Sequence, residues 1–298
     1  MSFTGERSAP EPARRPKCTV HTLADRKRRG QRITALTAVD FPSAKLVDEA
    51  GVDLVLVGDS LAMTVLGHKD TLSITMDEML HHTKAVRRGV QHALLVADMP
   101  FGSYHTSTDE ALRNAIRFVK EAGAEAVKLE GGRDRADLVE RLTRTEIPVI
   151  GHIGLTPQSV NRMGGYTVQA RTVAAIDALM SDAAALEGAG AVALVLEGVP
   201  REVAAKITAQ AQIPTIGIGA GPECDGQILV FHDLVRLTFA SPAKFVRSFG
   251  DAGAVMAEAI QRYREAVLTS TFPADAESYH LPREVRDALD AAELEVSA

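Results

Sequence analysis

Three carboxylates stand where three successive aliphatic runs stop: Asp59 after Leu54–Val57 and Gly58, Asp98 after Ala93–Ala97, and Glu130 after Ala126–Leu129. Short runs of this kind read as strands buried on both faces of a parallel sheet, and an acid at such a strand's end cannot stay unpaired in an apolar layer. Three acids converging from neighbouring strands would repel one another unless a cation stood between them. Oxygen donors alone select a hard ion such as Mg2+. The plainer reading of any single one is an N-cap for the next helix. That reading has to be invoked three times over.

Lys128 lies two residues before Glu130, so strand alternation turns both to the same side. Inside a barrel a lone ammonium is costly to bury, and either Glu130 or a bound anion would satisfy it. Glu197 directly follows Ala193–Leu196. Close to apolar walls and away from the metal, it is placed to act as a general base, although Pro200 just behind it also allows a helix cap. His152 ends the run Val149–Gly151, where it can bond a substrate carboxylate or a metal-bound water, or serve structurally. Ser60 offers a hydroxyl and a backbone N–H to an anion. His81 and His82 fall within an amphipathic helix and read as structural or solvated. Gly217-Ile-Gly-Ala-Gly221 has the glycines of a phosphate loop, but Pro222 and Asp225-Gly226 leave no helix N-terminus behind it, and the dinucleotide spacing is not met.

Eight strand candidates must position these residues: Ile33–Thr37, Leu54–Val57, Ala93–Ala97, Ala126–Leu129, Val149–Gly151, Val192–Leu196, Thr215–Ile218 and Ile228–Phe231. Helices alternate with them. Ser43 opens one that closes at Gly51; Thr75 with Glu78 and Ser107 with Glu110 have capping-box spacing; Thr172 and Pro200 open two more. Strand–helix alternation with right-handed crossovers builds a parallel sheet, and eight units favour an α/β fold of the closed (β/α)8 TIM-barrel class. Its catalytic face lies at the C-terminal ends of the strands, where all the acids fall and two long connections open, over residues 58–75 and 152–171. The connection over 219–227 is too short for a full helix. Helices are expected at 242–249, 252–269 and 282–292. The domain reading is a disordered tail over 1–20, one barrel with C-terminal helices over 21–273, and an extension over 274–298.

The chain has 298 residues, 46% of them apolar, which suffices for a large core. A net charge of −6 and the absence of Trp argue against a nucleic-acid surface or a base-stacking platform. No apolar run approaches the ~20 residues of a membrane span. The two cysteines, Cys18 and Cys224, form no Cys-x-x-Cys pair and fit a reduced cytoplasmic setting. The N-terminal stretch has no apolar segment of the secretory kind.

In order, Val57-Gly-Asp59-Ser-Leu, Ala97-Asp98-Met-Pro-Phe101, Val127-Lys-Leu-Glu-Gly-Gly132, Gly151-His-Ile-Gly-Leu-Thr-Pro-Gln-Ser159, Gly217-Ile-Gly-Ala-Gly221 and Asp225-Gly-Gln-Ile-Leu-Val230 resemble the ketopantoate hydroxymethyltransferase (3-methyl-2-oxobutanoate hydroxymethyltransferase) family. The resemblance runs from about Thr22 to Tyr279. It implies a barrel of the phosphoenolpyruvate mutase/isocitrate lyase type. It also implies transfer of a hydroxymethyl group from 5,10-methylenetetrahydrofolate to 3-methyl-2-oxobutanoate, through a Mg2+-stabilised enolate, to give 2-dehydropantoate for pantothenate synthesis. On this resemblance Asp59, Asp98 and Glu130 are the Mg2+ positions. Asp59, Ser60, Asp98 and Lys128 contact the oxoacid, with His152 beside them, and Glu197 is the proton acceptor. The partners are then the small oxoacid and the folate, with no nucleic acid and no membrane, in a cytoplasmic homodecamer. Val39, Ala62 and Gly198 depart from the family's common Tyr, Gly and Cys without removing a charged group. Two competing readings are a related barrel lyase, which lacks support because the Lys-Lys-Cys-Gly-His string is missing, and a non-catalytic scaffold, which makes the acid cluster a coincidence.

Overall fold

The computed structural model of the chain describes residues 15–296. Eight strands, β1 (Ile33–Thr37), β2 (Leu54–Val57), β3 (Leu94–Asp98), β4 (Ala126–Glu130), β5 (Val149–Gly154), β6 (Ala193–Glu197), β7 (Thr215–Ile218) and β8 (Gly226–Leu229), close into one barrel in sequence order. Every neighbouring pair is parallel, β1 with β8 included. Alternation divides the apolar residues into two layers. Ile33, Ala35, Leu54, Leu56, Leu94, Val96, Ala126, Ile150, Ala193, Val195, Ile216 and Ile228 fill the barrel. The alternate residues, such as Val55, Leu95, Val127, Val149 and Leu194, belong to a second cluster with the helices outside. Uninterrupted aliphatic runs are what such two-sided burial demands.

The short β7–β8 connection does not prevent closure. β8 forms two residues earlier than expected, at Gly226–Leu229 rather than Ile228–Phe231. Gly226 is what permits this pairing, since a Cβ there would lie 2.6 Å from the Ile33 carbonyl oxygen. Capping follows local chemistry. Thr75 and Glu78 exchange both bonds of a capping box. Ser107 accepts from the Glu110 N–H, but the Glu110 carboxylate turns to Thr106. The first crossover helix, Phe41–Glu49, is capped by Asp40 and not opened by Ser43, which sits at its third position and donates its N–H to the Asp40 carboxylate at 2.8 Å.

Three expectations are corrected. Residues 15–20 are not a tail. Arg15 bonds the Val52 carbonyl at 3.0 Å and the Asp53 carboxylate at 3.1 Å, and Cys18, 4% exposed, joins Leu23 in the interior cluster. Residues 1–14 of the expected tail lie outside the described residues. The helix over 242–249 is absent: a four-residue helix, Phe231–Leu234, follows β8, and Phe245 packs against the interior cluster. The chain also divides into two compact units between Phe249 and Gly250, not after residue 273. The second unit carries the helices Ala252–Leu268 and Arg283–Val296, and Val255, Ile260 and Leu268 on the first of these are exposed. Among the described residues no helix is long and apolar enough to cross a membrane.

Candidate active site

The alternation that fills the barrel also aims its chemistry. Leu94 and Val96 point inward on β3, and Asp98 is next in that phase. Ala126 is followed by Lys128 and Glu130 on β4, Ile150 by His152 on β5, and Val195 by Glu197 on β6. Register places Asp98 beside Lys128 and Glu130 beside His152. Asp59 enters two residues past the end of β2, after Gly58, and donates its backbone N–H to Asp98 Oδ2 at 3.1 Å. Five of the expected site residues, Asp59, Asp98, Lys128, Glu130 and His152, are thus gathered at between 1% and 4% exposure. The Glu197 side chain, 14% exposed, is the most open of the ionisable set.

Lys128 Nζ lies 2.9 Å from Asp98 Oδ1, 3.5 Å from Glu130 Oε1 and 3.2 Å from His152 Nδ1. On the far side of the ring, His152 Nε2 stands 3.2 Å from Glu197 Oε2, an ion-pair contact without an aligned hydrogen bond. Glu197 is therefore not set apart from the cluster, as its sequence position suggested, but is tied to it through one imidazole. Gly154 makes this approach possible. Its φ is 94°, and a Cβ there would lie 2.3 Å from the Glu197 carbonyl oxygen. Ser60 precedes a short helix, Leu61–Thr64, without using its hydroxyl as a cap, so that hydroxyl is left for another partner.

The charges are strongly interdependent. Burial, then Asp98 and Glu130, push the Asp59 carboxyl well above the usual carboxylate range. Burial also raises Asp98, against the pull of Lys128. Burial opposes the Lys128 ammonium, but Asp98, Glu130 and Asp59 outweigh it and hold the proton on. Burial would raise Glu130 too; Lys128, then His152 and the Gln158 N–H, bring it below its ordinary value. For His152, burial and Lys128 are overcome by Glu130 and Glu197, which push it up to about 9. Nδ1 cannot both accept from Lys128 and donate to Glu130, 3.4 Å away. The two flanking carboxylates decide for the second, an imidazolium.

That assignment has a sign. A folded-state value raised above the ordinary His value gives stability that is complete below about pH 6.5 and lost as pH rises through about 9. In metal-free protein, urea unfolding should show stability falling on the order of 3 kcal/mol across that interval. His152→Asn should lack the slope. Equal slopes in the two proteins would show the ring to be neutral throughout.

The three acids of the expected metal cage are engaged unequally. Among the described residues, no group of three His, Cys, Asp or Glu side chains is arranged to hold a metal ion. The reason is that Lys128 already occupies the space between Asp98 and Glu130. Both Glu130 oxygens are engaged, Oε1 by Lys128 and His152 and Oε2 by the Gln158 N–H at 3.0 Å. Asp59 and Asp98 are different. Asp98 Oδ1, beside Lys128, is buried without a hydrogen bond of good geometry, and burial with the neighbouring acids disfavours the charged form of Asp59, a penalty that a cation would relieve. This donor chemistry fits a divalent cation held by Asp59 and Asp98, with Glu130 contributing field rather than a free oxygen.

The phosphate-loop reading of Gly217–Gly221 does not hold. A Cβ on Gly219 would meet the Phe245 ring at 2.6 Å and one on Gly221 would meet Arg201 Cβ at 2.4 Å, so these glycines serve close packing. His82 is structural, its Nδ1 2.6 Å from the Val39 carbonyl. Sequence reasoning missed Gln158 and Tyr104, both buried and both bonded to the acid cluster. Only the length of the 152–171 connection hinted at Gln158, and nothing hinted at Tyr104 in the loop after β3.

The family model for ketopantoate hydroxymethyltransferase matches residues 17–275. A 3-methyl-2-oxobutanoate hydroxymethyltransferase of Koribacter versatilis is 61% identical over 93% of this chain and 94% of its own length. One from Pelobacter propionicus is 50% identical over 89% and 98% respectively. Among solved structures, 2,3-dimethylmalate lyase, of the phosphoenolpyruvate mutase/isocitrate lyase superfamily, matches with TM-score 0.56 at 16% identity, covering 95% of this chain and 98% of that one. Phosphonopyruvate hydrolase matches with TM-score 0.57 at 14% identity, over 94% and 97%. At such identities the structures show the barrel type alone, while the sequence matches carry the family. The chain belongs to the ketopantoate hydroxymethyltransferase family of enzymes.

Proposed function

We propose that this chain transfers a hydroxymethyl group from 5,10-methylenetetrahydrofolate to 3-methyl-2-oxobutanoate, forming 2-dehydropantoate for pantothenate synthesis. The observation that carries this reading is Glu197 at the barrel mouth, joined through His152 to the buried Lys128–Asp98–Glu130 group. A proton on the carbon beside a ketone is removed only if the charge left behind is met by something positive. Lys128 is that positive group on the chain itself. The oxoacid lies with its oxygens toward Lys128 and the Ser60 hydroxyl, which places C3 toward the more open rim. Glu197 takes the C3 proton. His152 holds Glu197 in place and meets its charge before the transfer. The carbon nucleophile then attacks the one-carbon unit of the opened folate, and water supplies the hydroxyl as the folate nitrogen leaves with a proton. A divalent cation such as Mg2+, held by Asp59 and Asp98, would supply further charge against the developing negative oxygen.

The direct test incubates the purified protein with the oxoacid, methylenetetrahydrofolate and Mg2+ and follows 2-dehydropantoate by mass spectrometry. Product should form in proportion to enzyme and stop on chelation. No product with any divalent ion would reject the reading.

A further inference from the structure

Gln158 is 5% exposed and engages both ends of its side-chain amide and its backbone N–H at the site. Its side-chain nitrogen donates to Asp59 Oδ2 at 2.9 Å and to the Met99 carbonyl at 3.0 Å. Its backbone N–H donates to Glu130 Oε2 at 3.0 Å. Its side-chain oxygen accepts from the Tyr104 hydroxyl at 2.6 Å, and that hydroxyl in turn accepts from the Glu130 N–H at 3.2 Å. One residue of the loop after β5 thereby ties together the ends of β2, β3 and β4. Tyr104 is itself 3% exposed, its ring lies under the Arg135 guanidinium, and burial raises its hydroxyl far above the usual phenol range, so it stays a donor.

We infer that Gln158 is a positioning residue for Asp59 and Glu130, and that Tyr104 acts through it by fixing which end of the amide faces Asp59. The chemistry explains why an amide stands there. A Lys or Arg in its place would orient Asp59 but would also neutralise it, and the carboxylate would then have no charge left for an incoming cation. A neutral donor orients the oxygen and leaves the charge intact. The amide can do this in one of its two flip states only. In the other, its oxygen would face the Asp59 carboxylate and the Met99 carbonyl, acceptor against acceptor. The Tyr104 hydroxyl, donating from the opposite side, holds the working state. Partners of this outer kind change metal affinity about 10- to 100-fold when removed.

This inference rests on the proposed cation at Asp59 and Asp98, and the test separates the two. Mn2+ alone is titrated into protein free of oxoacid and folate, and the free ion is read by electron paramagnetic resonance. The proteins are the unchanged chain, Tyr104→Phe, Gln158→Leu and the double variant, with circular dichroism and melting followed in parallel. Tyr104→Phe keeps the buried ring and should weaken Mn2+ binding about tenfold, and Gln158→Leu by at least as much. The double variant should be no weaker than Gln158→Leu, because Tyr104 acts through the amide. If the unchanged chain binds no Mn2+, the cation reading falls and takes the inference with it. If that protein binds and the folded variants bind equally well, the positioning role alone is overturned. Additive losses would remove the action of Tyr104 through Gln158, and loss of cooperative unfolding in both single variants would make the pair merely structural.

Discussion

Replacing Glu197 with Gln is expected to slow C3 proton exchange in the oxoacid by about 10²- to 10⁴-fold, the usual contribution of a positioned general base. The substitution keeps the size of the side chain and an oxygen that can face His152 Nε2, now 3.2 Å from Glu197 Oε2. It removes only the ability to take a proton. Asp59, Asp98, Lys128 and Glu130 lie deeper, at no more than 4% exposure, so oxoacid binding should survive almost unchanged. Proton exchange isolates this step because it needs neither folate nor product release. The measurement is the decay of the C3–H signal of 3-methyl-2-oxobutanoate in deuterated buffer, with and without enzyme. A fall in turnover with unchanged affinity marks an interaction made in the transition state alone. Exchange within a few-fold of the unchanged enzyme would move the base to another residue.

The barrel was legible because its strands are buried on both faces and so read as uninterrupted aliphatic runs. Where the reading slipped, a contact remote in sequence decided the outcome. β8 moved because Gly226 lets the backbone of Ile33 come close, and Ser43 lost its role as a cap because Asp40, three residues earlier, offers a better acceptor. The residues over 242–249 have a helix-opening Ser-Pro pair, yet burying Phe245 at the barrel overrides it. The Arg-rich stretch before Val20 looked like a solvated tail because nothing local announces that Asp53 needs Arg15 and Arg26 as counter-ions.

The site divides in the same way. Asp98, Lys128, Glu130, His152 and Glu197 sit on regular strands, where the period of two tells which side each faces, so sequence alone brings them together. Gln158 and Tyr104 sit on loops, which have no period. Their roles follow from reciprocal hydrogen bonds that exist only once the strands are closed. The charge balance was legible only in part, as the pairing of Lys128 with Glu130. Three acids on three strands suggested a metal cage, but the distance from Lys128 Nζ to Asp98, 2.9 Å, shows that the chain brings part of the counter-charge itself.

Lys128→Met should therefore expose that balance directly. Methionine fills nearly the same volume with no charge, so the loss is electrostatic rather than one of packing. Removing one partner of a buried ion pair typically costs about 3–5 kcal/mol, because the other is left uncompensated. Here Asp98 and Glu130 would be left together with Asp59, with His152 as the remaining cation among them. The pH dependence follows from Glu130. With Lys128 present its carboxyl is held below the ordinary value, which favours the folded state above about pH 4.3 and is lost as pH falls through the folded-state value. Without the ammonium, burial and the neighbouring acids raise it instead, and the contribution changes sign. The gap between the two proteins should thus be widest near pH 8 and should shrink as the acids take up protons near pH 5. Urea unfolding at both values measures it. Adding Glu130→Gln to Lys128→Met should recover part of the loss at pH 8, since it removes one of the stranded charges. If Lys128→Met unfolds at the same urea concentration as the unchanged protein at pH 8, the acids do not depend on Lys128, and its place among them would have to serve binding alone.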